Sequence, residues 1–295
     1  MSDAAQHHPT ILITGLGLMG ASLAAAVQAT PWKVLLHHRR PAVAAEAAAR
    51  GWGTAVADFT AAAHADIAVI CTPVSVIADT ARAIAAATRA VITDVGSTKG
   101  DVCRELADLG SRFVGSHPMC GSHLQGLAHA DPLLYRDKVT LVTPTPTTAA
   151  ESLALVESLW RSAGSRCLRL APDQHDRVVA EASHLPHVLA SLAASQLSAA
   201  AAPAAASGFR DTTRIAAGSP ELWRDILLTN RQAMTVLLKQ SRTRLEQLEE
   251  LLAQEDGTGI MHWLSAGKAG RQRFEVAQGQ AAAPTPHPPV GIRPS

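Results

Sequence analysis

Residues 10–29, TILITGLGLMGASLAAAVQA, leave this chain few folds to choose from. A short β-type run goes straight into Gly15, Gly17 and Gly20, spaced G-x-G-x-x-G, and a stretch of small residues with helical character follows. A strand that turns sharply into a helix in this way is the opening of a doubly wound α/β domain. Gly15 permits the tight turn, Gly17 lets the backbone approach a pyrophosphate, and Gly20 lets the helix lie close to the strand. The helix start offers free N–H groups and the positive end of its dipole to phosphates. The loop Gly15, Leu16, Gly17, Leu18, Met19, Gly20 is therefore the expected dinucleotide site; a glycine-rich packing turn is the plainer alternative.

The same rhythm continues. Strands are expected at 33–37, 66–73, 90–97, 112–118 and 138–144, with helices at 18–29, 41–50, 74–87 and 147–164, and one last strand near 165–171. Alternation of this kind gives a mostly parallel sheet covered by helices on both faces. From Pro172 to about Leu252 the pattern is helical, with Ser219 before Pro220 as an N-cap signature. The expected organisation is a Rossmann-like domain over 1–170, an all-α domain over 171–276 with an Ala- and Leu-rich surface of the kind that often pairs with a copy of itself, and a Pro- and Ala-rich disordered tail over 277–295.

Composition narrows the function classes. The formal net charge is +1 and aromatic residues make up 3% of 295 residues, which argues against a nucleic-acid surface. The apolar run after residue 10 reads as a buried βα unit rather than a signal or membrane segment, because its glycines sit at a strand-to-helix spacing. Cys71, Cys103, Cys120 and Cys167 form no C-x-x-C pair, and read as reduced thiols of a cytoplasmic protein without a metal site.

The second strand ends in LLHHRRP. NAD sites usually have an acidic residue there, holding the ribose hydroxyls. Here His38 takes that place, followed by Arg39 and Arg40, so nothing repels a 2′-phosphate and two guanidinium groups can bind it. NADP is the preferred expectation and NAD the alternative. Cys71, Thr72 and Pro73 follow the strand across the crevice and are expected to touch the cofactor.

Three further segments carry chemistry. DVGSTKG (94–100) places Ser97 at a strand's carboxyl end and Lys99 at a helix start, as a charge or a cap. VGSHPMCGS (114–122) places His117 in a loop at the sheet edge, where a histidine is suited to take a proton from an alcohol as hydride leaves; a surface histidine is the bland alternative. DQHDRVVAEASHLPH (173–187) carries His175, His184 and His187 on one helical stretch, without a recognisable metal-ligand spacing. GFRDTTRIA (208–216) sets Arg210 and Arg214 one helical turn apart, either facing a carboxylate ligand or paired with Asp211 on the surface.

GLGLMGASLA, DVGSTKG, GSHPMCGS, HDRVVAEASHLPH and GFRDTTRIAAGSPELWRDI together resemble the prephenate/arogenate dehydrogenases of tyrosine biosynthesis, in the family's order, from residue 11 to about 226. The resemblance implies a Rossmann domain with a helical dimerisation domain, and oxidative decarboxylation of a cyclohexadienol with hydride transfer to NAD(P)+. It implies His117 as the proton acceptor and Ser97 as its orienting neighbour. It also implies substrate contacts from His187 and Arg214, with His184 and Arg210 close by and His175 and Asp176 in support. Pro186 would bend the helix around the pocket. His123 and Gln125 fall where family members vary and are expected to face the substrate side chain, leaving prephenate and arogenate open. Rival expectations are a β-hydroxyacid-type dehydrogenase and a dinucleotide-sensing protein without catalysis.

Overall fold

The computed structural model describes residues 8–120 and 124–279. By contact, the described residues form two compact units that divide between Leu237 and Leu238. In the first unit, five strands form one parallel sheet: β1 (Thr10–Thr14), β2 (Lys33–His37), β3 (Thr54–Ala55), β4 (Ile67–Ile70) and β5 (Val91–Asp94), ordered β3-β2-β1-β4-β5. The order reverses beside β1, so the crevice above the β1 and β4 carboxyl ends is the topological switch point where such sheets bind ligands. Every residue of β1 and β4 is buried, as continuous apolar runs in a sheet covered on both faces require.

α1 (Leu18–Ala26) and α2 (Pro41–Ala49) flank one side of this sheet, and α3 (Ile77–Ala87) packs against β4 and β5. The sheet's two faces lie in two apolar clusters: Ile11, Ile13 and Leu36 belong to one, Leu12, Ile70 and Ile92 to the other. Alternate residues of β1 thus enter different cores.

The stretch expected as one strand over 112–118 divides. Phe113 makes a single parallel bridge with Ile92, after which β6 (Gly115–Pro118) leaves the first sheet. β6 pairs antiparallel with β7 (Val139–Thr143), and β7 pairs parallel with β8 (Arg166–Arg169). The cause is at Asp94: its carboxylate accepts the Ser116 amide at 3.2 Å and its carbonyl accepts the Ser116 hydroxyl at 2.6 Å. The amide that would extend the β5 ladder is committed to a side chain. His117 accordingly stands on a strand, opposite Leu141, and not in a loop.

α4 (Gly100–Glu105) and α5 (Ala150–Ser162) complete the covering. Then come α6 (Pro172–Val179), a π-helical turn Ala180–His184, α7 (Leu185–Ser195), α8 (Ser207–Thr213) and α9 (Pro220–Thr229). Ser219 caps α9 as expected, accepting the Leu222 amide at 3.3 Å ahead of Pro220. α6 packs on α4 and on β7, and α9 packs on the turn after β4, so these helices share one compact body with the sheets. The second unit holds most of α10 (Arg231–Ala253) and all of α11 (Gly257–Ala277). Of the expected tail over 277–295, residues 280–295 lie outside the described residues.

Candidate active site

The glycine loop has the geometry its sequence implies. Gly15 adopts φ +91°, and a Cβ there would lie 2.7 Å from the carbonyl carbon of Cys71. A Cβ on Gly20 would meet the Gly15 carbonyl oxygen at 2.1 Å. Both are glycine for reasons of fold. Gly17 differs: a Cβ there would meet nothing within 4 Å. It precedes α1 without a side-chain cap, so the first amides of α1 face open space that a pyrophosphate fits. Leu16 is buried, while Leu18 and Met19 are partly exposed in the first helical turn.

The Cys71–Thr72–Pro73 loop lies directly against Gly15, as expected from its position after β4. Burial pushes the Cys71 thiol well above its ordinary value, with Asp94 adding to the effect, so Cys71 is an uncharged space-filler. Thr72 Oγ1 is buried without a hydrogen-bond partner among the described residues. An orphaned hydroxyl beside an open phosphate cradle is what a dinucleotide site presents before its ligand enters. At the end of β2, His38 Nδ1 accepts the Arg40 amide at 3.0 Å. Arg39 and Arg40 are exposed and make no ion pair with a described residue.

Along the neighbouring strand ends lies a buried histidine chain. His117 Nδ1 is 3.0 Å from His175 Nε2, and His175 Nδ1 is 2.8 Å from Asp176 Oδ1. Asp176 also accepts the amides of Lys99 at 2.7 Å and Gly100 at 2.9 Å, at the start of α4. Burial opposes its charge, but the His175 hydrogen bond and these two amides outweigh burial and lower its pKa. A carboxylate only accepts, so His175 Nδ1 carries a hydrogen and His175 Nε2 a lone pair. His117 therefore donates from Nδ1 and keeps its lone pair on Nε2, which makes no hydrogen bond to a described residue. Burial, then the neighbouring His175, Lys99 and His184, hold the His117 pKa well below its ordinary value. His117 is a neutral acceptor whose tautomer is set two residues away.

Lys99 is fully buried and bonded to Asp94, itself fully buried. It is thus neither a surface charge nor only a helix cap: it neutralises the carboxylate that redirects β6. Thr98 donates to Thr229 Oγ1 at 3.0 Å, joining this loop to the end of α9. Ser97 lies half-buried in the same loop, but its side chain makes no hydrogen bond to a described residue. The neighbour that orients His117 is His175, not Ser97.

His184 and His187 are both buried. His187 stacks on Trp223 with ring centroids 3.5 Å apart and an interplanar angle of 12°, and its Nδ1 is buried without a partner among the described residues. Trp223 also meets His184 edge-on at 6.0 Å. The wide turn Ala180–His184 ends two residues before Pro186; Pro186 lacks an N–H and its ring displaces the carbonyl four residues back, which the wider turn accommodates. The helix is thus opened just before Pro186. Arg210 is exposed and bonds Asp211 at 3.1 Å. α8 stops at Thr213, so Arg214 starts a tighter turn and is exposed, although that turn packs against α7. Gln125 is exposed, and His123 lies outside the described residues. Asp94, Trp223 and Asn230 were not singled out by sequence. Only the aromatic in ELWRD could have drawn attention, since an Asp and an Asn at element ends are ordinary caps.

Among the described residues no group of His, Cys, Asp and Glu has the arrangement of a metal site.

The family model for the prephenate dehydrogenase nucleotide-binding domain matches residues 23–169, and that for the prephenate dehydrogenase dimerization domain matches residues 171–266. The chain is 33% identical to the cyclohexadienyl dehydrogenase of Zymomonas mobilis over 275 residues, covering 88% of this chain and 94% of that one. A solved prephenate dehydrogenase from A. aeolicus, in complex with hydroxyphenyl propionate and NAD+, superposes with a TM-score of 0.83 at 27% identity, covering 92% of this chain and 99% of the other. The Synechocystis arogenate dehydrogenase superposes with a TM-score of 0.80 at 29% identity, covering 90% and 99%.

Proposed function

From the premise that the chain belongs to the prephenate dehydrogenase family, we propose that it oxidises and decarboxylates prephenate, arogenate or both, with His117 as the base. The observation that carries this reading is the Asp176–His175–His117 chain, which ends in a neutral Nε2 lone pair beside the dinucleotide crevice. The oxidised nicotinamide ring, when bound, supplies the hydride acceptor. His117 Nε2 takes the proton of the ring hydroxyl as that carbon loses its hydride. The electrons of the ring–carboxylate bond then flow through the diene toward the new carbonyl, CO2 leaves, and the ring becomes aromatic. The resulting phenolate recovers a proton from the His117 imidazolium, restoring the base. His175 and Asp176 keep the ring turned and stabilise its transient charge. His187 and Arg214 bind the substrate side chain and its carboxylate, with His184, Arg210, His123 and Gln125 around them. Ser97 touches the reacting hydroxyl from the opposite loop.

NADP is the proposed cofactor, because Arg39 and Arg40 are exposed, free of ion pairs with described residues, and directly follow His38, which takes the place where a carboxylate would repel a 2′-phosphate. The helical region over 171–276 is proposed to dimerise, in keeping with the description of the matching family model. A cytoplasmic location goes with four free cysteines, and among the described residues no helix is long and apolar enough to cross a membrane. The test follows nicotinamide reduction with prephenate or arogenate, each with NAD+ or NADP+. Turnover with NADP+ supports the whole reading. Turnover with NAD+ alone removes the Arg39/Arg40 argument and leaves the reaction standing, and no turnover in any of the four mixtures overturns it.

A further inference from the structure

Asn230 lies between α9 and α10 and is buried. Its side-chain nitrogen Nδ2 donates to the carbonyl oxygen of Asp176 at 2.8 Å and lies 3.1 Å from Nδ1 of His184. A backbone carbonyl only accepts, so it fixes which end of the Asn230 amide faces this way. One amide hydrogen goes to Asp176. The other points to His184 Nδ1, which must then present a lone pair. A neutral imidazole carries one ring hydrogen, so in His184 that hydrogen sits on Nε2. Burial, with His175 and His187 adding to it and Asp176 opposing, pushes the His184 pKa down to about 4, so the ring is neutral at pH 7. Nε2 lies on the ring edge away from Nδ1 and makes no hydrogen bond to a described residue; the residue is only 1% exposed, but this nitrogen, unlike His187 Nδ1, is not sealed from solvent. A ring N–H that the protein leaves unpaired at the edge of a nearly closed site is left for water or a ligand oxygen to satisfy.

We propose that Asn230 is a positioning residue that presents His184, through Nε2–H, as a hydrogen-bond donor to an oxygen of the bound substrate, a carboxylate or carbonyl oxygen. The inference rests on the substrate-pocket reading above. It makes the two neutral rings complementary: His117 offers an acceptor at Nε2 and His184 a donor at Nε2. Asn230 and Asp176 together determine both, since Asp176 fixes the first through its carboxylate and the second through its carbonyl oxygen.

The test is ring-nitrogen NMR on the full chain labelled with 15N-histidine, with the His184 signals identified by their loss in His184→Asn and by sequential assignment of the wild type. At pH 7 the wild type is expected to show His184 Nδ1 as an unprotonated and Nε2 as a protonated ring nitrogen. Adding hydroxyphenyl propionate, a carboxylate-bearing probe, is expected to shift the Nε2 proton. Asn230→Asp, equal in size but unable to donate, is expected to place a proton on Nδ1 and to raise KM about 10-fold while kcat changes less than about 3-fold. Asn230→Ser, which keeps a donor, should recover part of the KM loss. A wild-type ring protonated at Nδ1, an Nε2 proton indifferent to the probe, or a wild-type tautomer and KM in Asn230→Asp would each overturn the proposal. A merely structural role would lower the melting temperature without reversing the ring shifts. The spectra are read without turnover, so an inactive protein would sink the proposed reaction and still leave the tautomer decided.

Discussion

At His117 the atom that matters is Nε2, and the chain prepares it from a distance. Asp176 can only accept, so it dictates where His175 holds its hydrogen, and His175 dictates the same for His117. His117→Asn is expected to lower kcat by about 100-fold or more with cofactor affinity unchanged, checked by steady-state kinetics and cofactor titration. Asp176→Asn should also lower kcat by roughly 100-fold, since its amide can donate to His175 and reverse both tautomers. Burial holds the pKa of His117 down, so kcat/KM is expected to stay level through pH 6.5 and to fall only in more acid solution. Stability follows the same sign at His184. The unfolded ring binds its proton near pH 6.5 and the folded ring only near pH 4, so the native state loses ground as pH falls across that window. At about 1.36 kcal/mol per pH unit the loss approaches ~3 kcal/mol. His184→Gln should show a shallower fall in melting temperature between pH 7 and 4.5, whatever its starting value.

The glycine loop separates roles that its sequence pattern runs together. Gly20→Ala forces a Cβ onto the Gly15 carbonyl oxygen at 2.1 Å, and should cost folding stability directly. Gly17→Ala meets nothing, so its melting temperature is expected to hold while dinucleotide affinity drops at least ~10-fold, read by fluorescence titration. The loop itself was legible in the sequence because strand, turn and helix each have a local signature, and so were β1, β2, β7 and the Ser219–Pro220 start of α9. The departure of β6 was not. It depends on a carboxylate 22 residues earlier taking the Ser116 amide, and periodicity carries no information about such a capture. The site was legible in part for the same reason. His117, His184 and His187 stood out as residue types in motifs. That Lys99 is buried against Asp94, that His175 replaces Ser97 as the neighbour of His117, and that Trp223 stacks on His187 are facts of tertiary approach.

In the second unit, Leu238, Leu245 and Leu252 recur every seven residues along α10 and are all exposed, as are Met261, Leu264 and Phe274 of α11. A seven-residue apolar stripe open to water is the kind of surface that pairs with another helix. If the helical region dimerises, sedimentation equilibrium should give a two-chain particle for the wild type, and Leu245→Glu with Leu252→Glu should shift it to one chain. Retention of the two-chain mass in that double variant would place the interface elsewhere. The turn Ala180–His184 has a different consequence for the whole molecule. Each residue of an α-helix advances its face by about 100°, and a π turn accommodates one residue more than an α turn does. Losing a single codon between Val179 and Leu185 would let the turn relax to ordinary α-helix with the flanking faces still in phase, whereas a deletion inside α7, where there is no extra residue, would swing every later side chain by about 100°. In a library of variants, this stretch should accept missense changes at exposed Glu181 or Ala182 and tolerate single-residue in-frame deletions that the α-helical stretches on either side reject, because what it stores is one spare residue.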